Sequence, residues 1–86
     1  MSLNDGDGIS IQTTVLSCIR KETGHVGEIS LTDVAGDVDG WDSIAHIRIM
    51  YRIEMTLGID VDIKETYSAE TIGNLVDMVR KICSGG

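Results

Sequence analysis

The chain has 86 residues, of which 42% are apolar, and a formal net charge of -7. A chain of this length folds as one small domain, because it can bury only roughly 60% of the surface that its unfolded form exposes. The excess of negative charge argues against binding to nucleic acid or to an anionic membrane, since both would repel the protein. One Trp, two Tyr and no Phe predict a core built from aliphatic side chains.

The ends of the chain and its two cysteines argue against several further classes of protein. Residues 1–8 carry neither the basic region nor the apolar run of a secretory signal. We expect them to form a mobile leader, before a folded domain at 9–83 and a frayed tail at 84–86. No apolar segment is long enough to span a bilayer. Cys18 and Cys83 belong to no CxxC pattern, so neither a disulfide nor a metal site is indicated. The expectation is a reduced, cytoplasmic monomer.

Hydrophobic periodicity predicts a first helix that starts at Ser10, since apolar residues recur one turn apart at Ile11, Val15 and Ile19. Gly24 is suited to end it. The long connection that follows, residues 24–42, is unusual for a compact domain unless it has a function or contains some structure. A single helical turn is expected near residues 32–35.

The second helix is predicted from Ser43 to Leu57, with Gly58 as its stop. Asp42 is a favourable N-cap, because its carboxylate can accept hydrogen bonds from the free amides of the first turn. A helix that is apolar around most of its circumference is expected to be packed on more than one side. Its polar stripe is narrow and consists of Arg48, Arg52 and Thr56.

The remainder of the chain predicts one helical turn at residues 63–67 and a last helix at residues 69–83. Apolar residues of the last segment fall on one face at helical spacing. There is no alternation typical of strands and no proline. The predicted fold class is therefore all-α, a small bundle of three main helices plus one short helix.

The segment DVDGWDSIAHIRIM, residues 37–50, carries the most specific signal in the chain. It places Ser43 in the first turn of a helix directly after a loop rich in Gly and Asp. We expect the Ser43 hydroxyl to be exposed and Ile44 to point into the core. The N-terminus of a helix offers free amides and a partial positive charge, which suit a phosphate group. Ser43 is therefore well placed to carry a phosphodiester.

These residues resemble the acyl carrier protein family, including the related peptidyl carrier domains. Gly40-Trp41-Asp42-Ser43-Ile44 matches the family's G-x-D-S-aliphatic signature. The likeness continues through the second helix into LGIDV at residues 57–61, and into TIGNLV at residues 71–76. It spans about residues 10–82, and it implies the fold of an acyl carrier protein.

The resemblance implies that Ser43 receives a 4'-phosphopantetheine arm from coenzyme A, and that Asp42 and Gly40 complete the attachment motif. Asp42 would help to hold magnesium during that transfer. The chain would be a non-catalytic carrier, a substrate of a phosphopantetheinyl transferase, with no resident metal. Its arm would carry acyl or aminoacyl groups as thioesters between a loading enzyme and a downstream synthase or transferase. The implied pathway is fatty-acid, polyketide or related specialised biosynthesis.

Two further sets of residues follow from this interpretation. An aliphatic core without Phe can open a cargo cleft, for which we expect the lining Ile44, Ile47, Met50, Val61, Ile63 and Ile72; ordinary core positions are the open alternative. The expected docking residues for partner enzymes are Trp41, Ile44, Arg48 and Arg52. Fatty-acid carriers usually show carboxylates along this helix, so the two arginines indicate dedicated partners. A plain solvated face is the alternative.

The alternatives are an enzyme, a calcium-binding protein and an unmodified helical adaptor. A Ser43–His46 catalytic pair would need an orienting acid and an oxyanion hole, which so short a chain rarely provides; His46 is instead expected at the surface or its boundary. An EF-hand fails, because placing Gly40 at the turn would make Ala35 and His46 the first and last ligands. An unmodified helical adaptor stays open.

Overall fold

The structure, a computed structural model, describes the backbone of residues 7–85 and the side chains of residues 11–84. This part of the chain contains no strand, and none of its helices is long and apolar enough to cross a membrane. The predicted all-α class, with three main helices and one short one, is confirmed. The helices are α1 (Asp7–Thr23), α2 (Ser43–Leu57), α3 (Ile63–Thr66) and α4 (Ile72–Gly85), and a 3₁₀ turn covers Ala35–Asp37.

The bounds of α2 agree with the prediction because both ends carry strong local signals. Asp42 is extended, and its carboxylate accepts the Ala45 amide at 2.8 Å. Gly58 adopts the left-handed conformation (φ 68°), and its amide donates to the Glu54 carbonyl at 2.8 Å. A side chain at this φ would be strained, so the glycine ends the helix cleanly.

The outer ends of the bundle differ from the prediction. Asp7 belongs to α1, which therefore starts before Ser10 and inside the expected leader; residues 1–6 lie outside the described part of the chain. Ser84 and Gly85 belong to α4 rather than to a frayed tail, and Gly86 is also outside the described residues.

The start of α4 lies at Ile72 rather than at residue 69. Thr71 and Asn74 fix it through two reciprocal hydrogen bonds, each 3.1 Å long, in which each side chain accepts the amide of the other residue. The next amides bond to the long connection: Ile72 donates to the Asp33 carbonyl at 2.9 Å, and Gly73 to the Leu31 carbonyl at 2.8 Å. The first turn of α4 thus has its amides satisfied without any ligand.

The long connection, residues 24–42, holds its shape through several local bonds. Its helical turn lies at Ala35–Asp37, slightly later than expected. The Asp39 amide donates to His25 Nδ1 at 3.2 Å, and Val38 is buried in the core. The connection is therefore part of the folded domain.

The core lies between α1, α2 and α4, and α1 contacts both of the other helices. As predicted, its described side chains are aliphatic or sulfur-containing. Those fully buried are Val15, Ile19, Ile49, Met50, Ile53, Ile72, Val76 and Val79.

One side of α2 is not covered by the rest of the described chain. Ile44, Ile47, Tyr51 and Met55 recur at one-turn spacing and are 63%, 39%, 56% and 84% exposed. We call these four residues the outer face of α2. The expectation that Ile44 points into the core is therefore wrong.

Candidate functional site

Ser43 is the first residue of α2 and is exposed. Neither its hydroxyl nor its amide forms a hydrogen bond with any residue that the structure describes, and the Ile44 amide is likewise open. Asp42 satisfies the next donors, because its carboxylate accepts the Ala45 amide and its carbonyl accepts the His46 amide. An accessible hydroxyl beside two open amides at a helix N-terminus suits a phosphodiester.

Gly40 fixes the approach to this serine. Its φ is +86°, a conformation that favours glycine, and a Cβ at this position would collide with the carbonyl oxygen of Thr23, the last residue of α1. The close backbone contact sets where the chain leaves α1 before it turns into α2. Gly40 thus fixes the backbone two residues before Asp42 and Ser43 begin α2.

His46 lies one turn after Ser43 and is buried, with 8% of its surface exposed, so its expected place at the surface or boundary is wrong. The Trp41 indole N–H donates to its Nδ1 at 3.2 Å. Nε2 therefore carries the proton and donates to Thr66 Oγ1 at 2.7 Å, and the Thr66 hydroxyl donates to the Ile63 carbonyl. These bonds need the neutral ring, and burial lowers the pKa of His46 below its usual value of 6.5.

The His46 ring also stacks on Tyr67, with ring centroids 4.1 Å apart and planes inclined by 18°. It is thus held by the segment before α2 on one side and by α3 on the other. We call Trp41, His46, Thr66 and Tyr67 the His46 cluster. The Trp41 indole N–H, both His46 ring nitrogens and the Thr66 hydroxyl all have partners, so the cluster fixes α3 against the start of α2.

An open pocket of about 110 Å³ lies beside the His46 cluster. All four cluster residues line it, and Ile72 and Leu75 of α4 form part of its apolar wall. The pocket begins one turn along α2 from Ser43. Two of its lining residues, Trp41 and His46, lie on either side of Ser43 in the sequence.

The six residues expected to line the cargo cleft do not come together around this pocket. Ile72 alone lines it, whereas Met50 is fully buried in the core and Ile47 belongs to the outer face of α2. Val61 borders a separate groove of about 370 Å³ beside α4, and Ile63 packs half-buried against the core. Ile44, which completed the expected lining, is exposed.

The expected docking residues have different surroundings. Ile44 and Arg48 are exposed on α2. Trp41 is half-buried, and its indole N–H is used by His46. Arg52 is not free, since its Nε lies 2.6 Å from a Glu22 carboxylate oxygen on α1. Glu54, the only acidic residue of α2, turns inward and accepts the Val61 amide at 2.7 Å.

Sequence reasoning missed Thr66 and Tyr67 as neighbours of the candidate site. The Thr66 partner of His46 is 20 residues away along the chain, so no local pattern connects the two. A Trp and a His on either side of a helix start provided a weak signal that this end of α2 is built from polar aromatic groups.

Comparison with known proteins adds no support to the resemblance. Neither a protein-family model, nor a curated protein, nor a solved structure matches this chain. In the described residues there is also no group of three or more His, Cys, Asp or Glu side chains that could hold a metal ion. The likeness to acyl carrier proteins therefore rests on the sequence motifs at residues 40–44, 57–61 and 71–76.

Proposed function

We propose that this protein is an acyl carrier whose Ser43 bears a 4'-phosphopantetheine arm. The observation that carries the proposal is an exposed Ser43 hydroxyl with no described hydrogen-bond partner, in the first turn of α2 directly after Gly40 and Asp42. When bound, the arm supplies a thiol that holds an acyl or aminoacyl group. The proposed pathway is fatty-acid, polyketide or related specialised biosynthesis in the cytoplasm.

The chain's own residues position that attachment. The amides of Ser43 and Ile44 are open at the N-terminal end of α2, and the partial positive charge of that end favours a phosphate group on the serine. The Asp42 carboxylate caps α2 and so fixes the backbone of its first turn, to which Ser43 belongs. Its outer carboxylate surface remains exposed, which suits the magnesium contact expected of it during transfer of the arm.

The outer face of α2 is the proposed docking surface for the transferase, the loading enzyme and the downstream synthase. It starts one residue after Ser43 and presents Ile44, Ile47, Tyr51 and Met55 to solvent, with Arg48 beside them. A contiguous exposed apolar strip of this kind marks an interaction surface more often than chance. The only acidic residue of α2 is engaged elsewhere, so the surface favours partners with apolar and acidic contacts.

The test is covalent modification followed by intact-mass measurement. The protein is incubated with coenzyme A, magnesium and a phosphopantetheinyl transferase of broad specificity, and the mass should rise by one phosphopantetheine. Ser43→Ala should abolish the increase without changing helical content. Ser68→Ala is the matched control, because Ser68 is also exposed but bonds to the Glu65 carbonyl. An unmodified wild type, or a modified Ser43→Ala, would refute the carrier function.

An unmodified helical adaptor is the second candidate, and the exposed apolar strip on α2 is the observation that favours it. An adaptor needs the strip but not the Ser43 hydroxyl. The same experiment separates the two functions, since an adaptor keeps its mass in the presence of transferase and coenzyme A.

A further inference from the structure

An open groove of about 380 Å³ lies between α2 and the end of α1. Its lining consists of Glu22 from α1 and, from α2, Arg48, Tyr51, Arg52 and Met55. We infer that this groove binds a helical segment of a partner protein that carries two carboxylates one turn apart. The inference rests on the docking role proposed for the outer face of α2, but it does not require the phosphopantetheine arm.

Arg52 keeps an open hydrogen-bonding edge although it is paired with Glu22. Among the described residues, only its Nε has a partner, a Glu22 carboxylate oxygen at 2.6 Å. The two terminal nitrogens of its guanidinium group have no partner there and are not buried. The ion pair thus restrains the guanidinium group while its terminal N–H fork remains accessible. Such a fork can bind a carboxylate through two parallel hydrogen bonds.

Arg48 adds a second cation one turn earlier on α2. It is exposed and forms no ion pair or hydrogen bond with any residue that the structure describes. The Cβ atoms of residues four apart on a helix are about 5–6 Å apart, and like charges at this spacing destabilise the helix. Glu54 does not relieve the repulsion, since its carboxylate accepts the Val61 amide. Two carboxylates at the same spacing on a facing helix would neutralise both arginines.

The surroundings of the two arginines favour an acidic amphipathic helix over other anions. Tyr51 and Met55 are 56% and 84% exposed in the same groove, so a fitting segment offers apolar side chains beside its acids. The chain as a whole has a net charge of -7, which repels a nucleic acid because its charge extends far beyond the groove. A helix with two acidic residues confines its negative charge to the place where the arginines lie.

A peptide titration of the isotope-labelled protein tests the inference. The probe is a blocked, Ala-rich peptide of about 20 residues, long enough to form a helix in water. It carries two Glu one turn apart and two Leu on the adjoining stripe. We expect it to shift the amide resonances of α2 around Arg48 and Arg52. Replacing both Glu by Gln should weaken binding by about threefold or more, as expected for two partly exposed ion pairs.

Three arginine variants assign the binding to the groove. Arg48→Gln and Arg52→Gln should each weaken binding of the Glu peptide by about two- to fivefold and leave binding of the Gln peptide unchanged. Arg80→Gln is the matched control, because it makes the same charge change on α4, where Arg80 pairs with Asp77. It should bind the Glu peptide as the wild type does. Circular dichroism verifies that each variant is folded.

Two results would overturn the role of the arginines. The first is equal binding of the Glu and Gln peptides. The second is an equal loss in all three variants, which would show that net charge alone governs binding. A peptide of the same composition with its two Glu on opposite faces should bind no better than the Gln peptide; if it matches the original probe, the required spacing is wrong.

Two further comparisons separate this inference from other interpretations. Vesicles that contain phosphatidylserine should leave the α2 resonances in place; if vesicles shift them and the peptide does not, the groove contacts a membrane surface and the inference fails. The mass test on Ser43 is independent of the titration. A modified Ser43 without peptide binding overturns this inference alone, whereas peptide binding with an unmodified Ser43 supports it in an adaptor.

Discussion

The two sides of α2 are almost equally apolar, yet the structure treats them in opposite ways. Ile49 and Ile53 are fully buried against the rest of the bundle, whereas Ile44 is 63% exposed on the outer face. Isoleucines on one side of α2 thus stabilise the fold by burial, whereas the isoleucine on the other side is exposed to solvent. Hydrophobic periodicity predicts that both sides of α2 are apolar, but it does not predict which side is buried against the rest of the chain.

Truncating one isoleucine on each side should give the largest contrast. Ile53→Ala removes a fully buried side chain and leaves a cavity, so we expect unfolding to become easier by about 2–5 kcal/mol. Ile44→Ala should change the free energy of unfolding by no more than about 0.5 kcal/mol. Urea denaturation followed by circular dichroism measures both. A comparable loss in the two variants would show that the outer face is packed in solution.

His46, on the buried side of α2, should make stability depend on pH. Its pKa is lowered in the folded state by burial, so the unfolded state binds the proton more readily. The stabilising contribution is therefore complete above the usual value of 6.5 and is lost as the pH falls below it. We expect the melting temperature to drop between pH 7.5 and about 5.5, a range in which most carboxylates stay ionised.

Two variants test whether His46 causes this pH dependence of the melting temperature. His46→Gln retains hydrogen-bonding groups without the titration and should flatten the profile. His25→Asn keeps an acceptor for the Asp39 amide and should leave the slope in place. A slope that persists in His46→Gln and disappears in His25→Asn would assign it to the long connection instead.

The arginines of α2 should show the smallest effects on stability. Arg52→Gln breaks the pair with Glu22 and should cost about 0.2–1 kcal/mol, since the Arg52 side chain is 42% exposed and solvent weakens the pair. Arg48→Glu should leave stability unchanged within about 0.5 kcal/mol. Its effect should appear in recognition, as faster loading of the modified protein by a malonyl transferase of fatty-acid synthesis. Equal loading of wild type and Arg48→Glu would show that Arg48 is an ordinary solvent-exposed residue without a role in docking.

The local parts of the fold were predictable because their signals are local. Asp42 and Gly58 define α2, since a cap acts on amides and carbonyls within one turn of itself. The start of α4 was predicted too early, although its Thr71–Asn74 pair is also local, because helix periodicity outweighed the cap. Ser43 could be chosen from its motif and its place at a helix start alone.

The environment of the candidate site depends on contacts between distant residues, which explains the errors there. His46 is buried because α3 supplies Thr66 and the residue after α3 is Tyr67, and nothing near His46 in the sequence indicates these partners. Arg52 has the pattern of a free surface cation, but α1 places Glu22 against it. The expected cleft residues were selected as apolar, whereas the pocket wall also contains the polar side chains of His46 and Thr66.

The bonds between the long connection and α4 have a consequence for how the domain opens. Ile72 and Gly73 donate their amides to the Asp33 and Leu31 carbonyls, so residues 31–33 cannot leave without exposing the first turn of α4. We therefore expect residues 31–33 to open together with the start of α4. Amide hydrogen exchange at Ile72 and Gly73 then requires sub-global unfolding, while the open amides of Ser43 and Ile44 exchange from the native state.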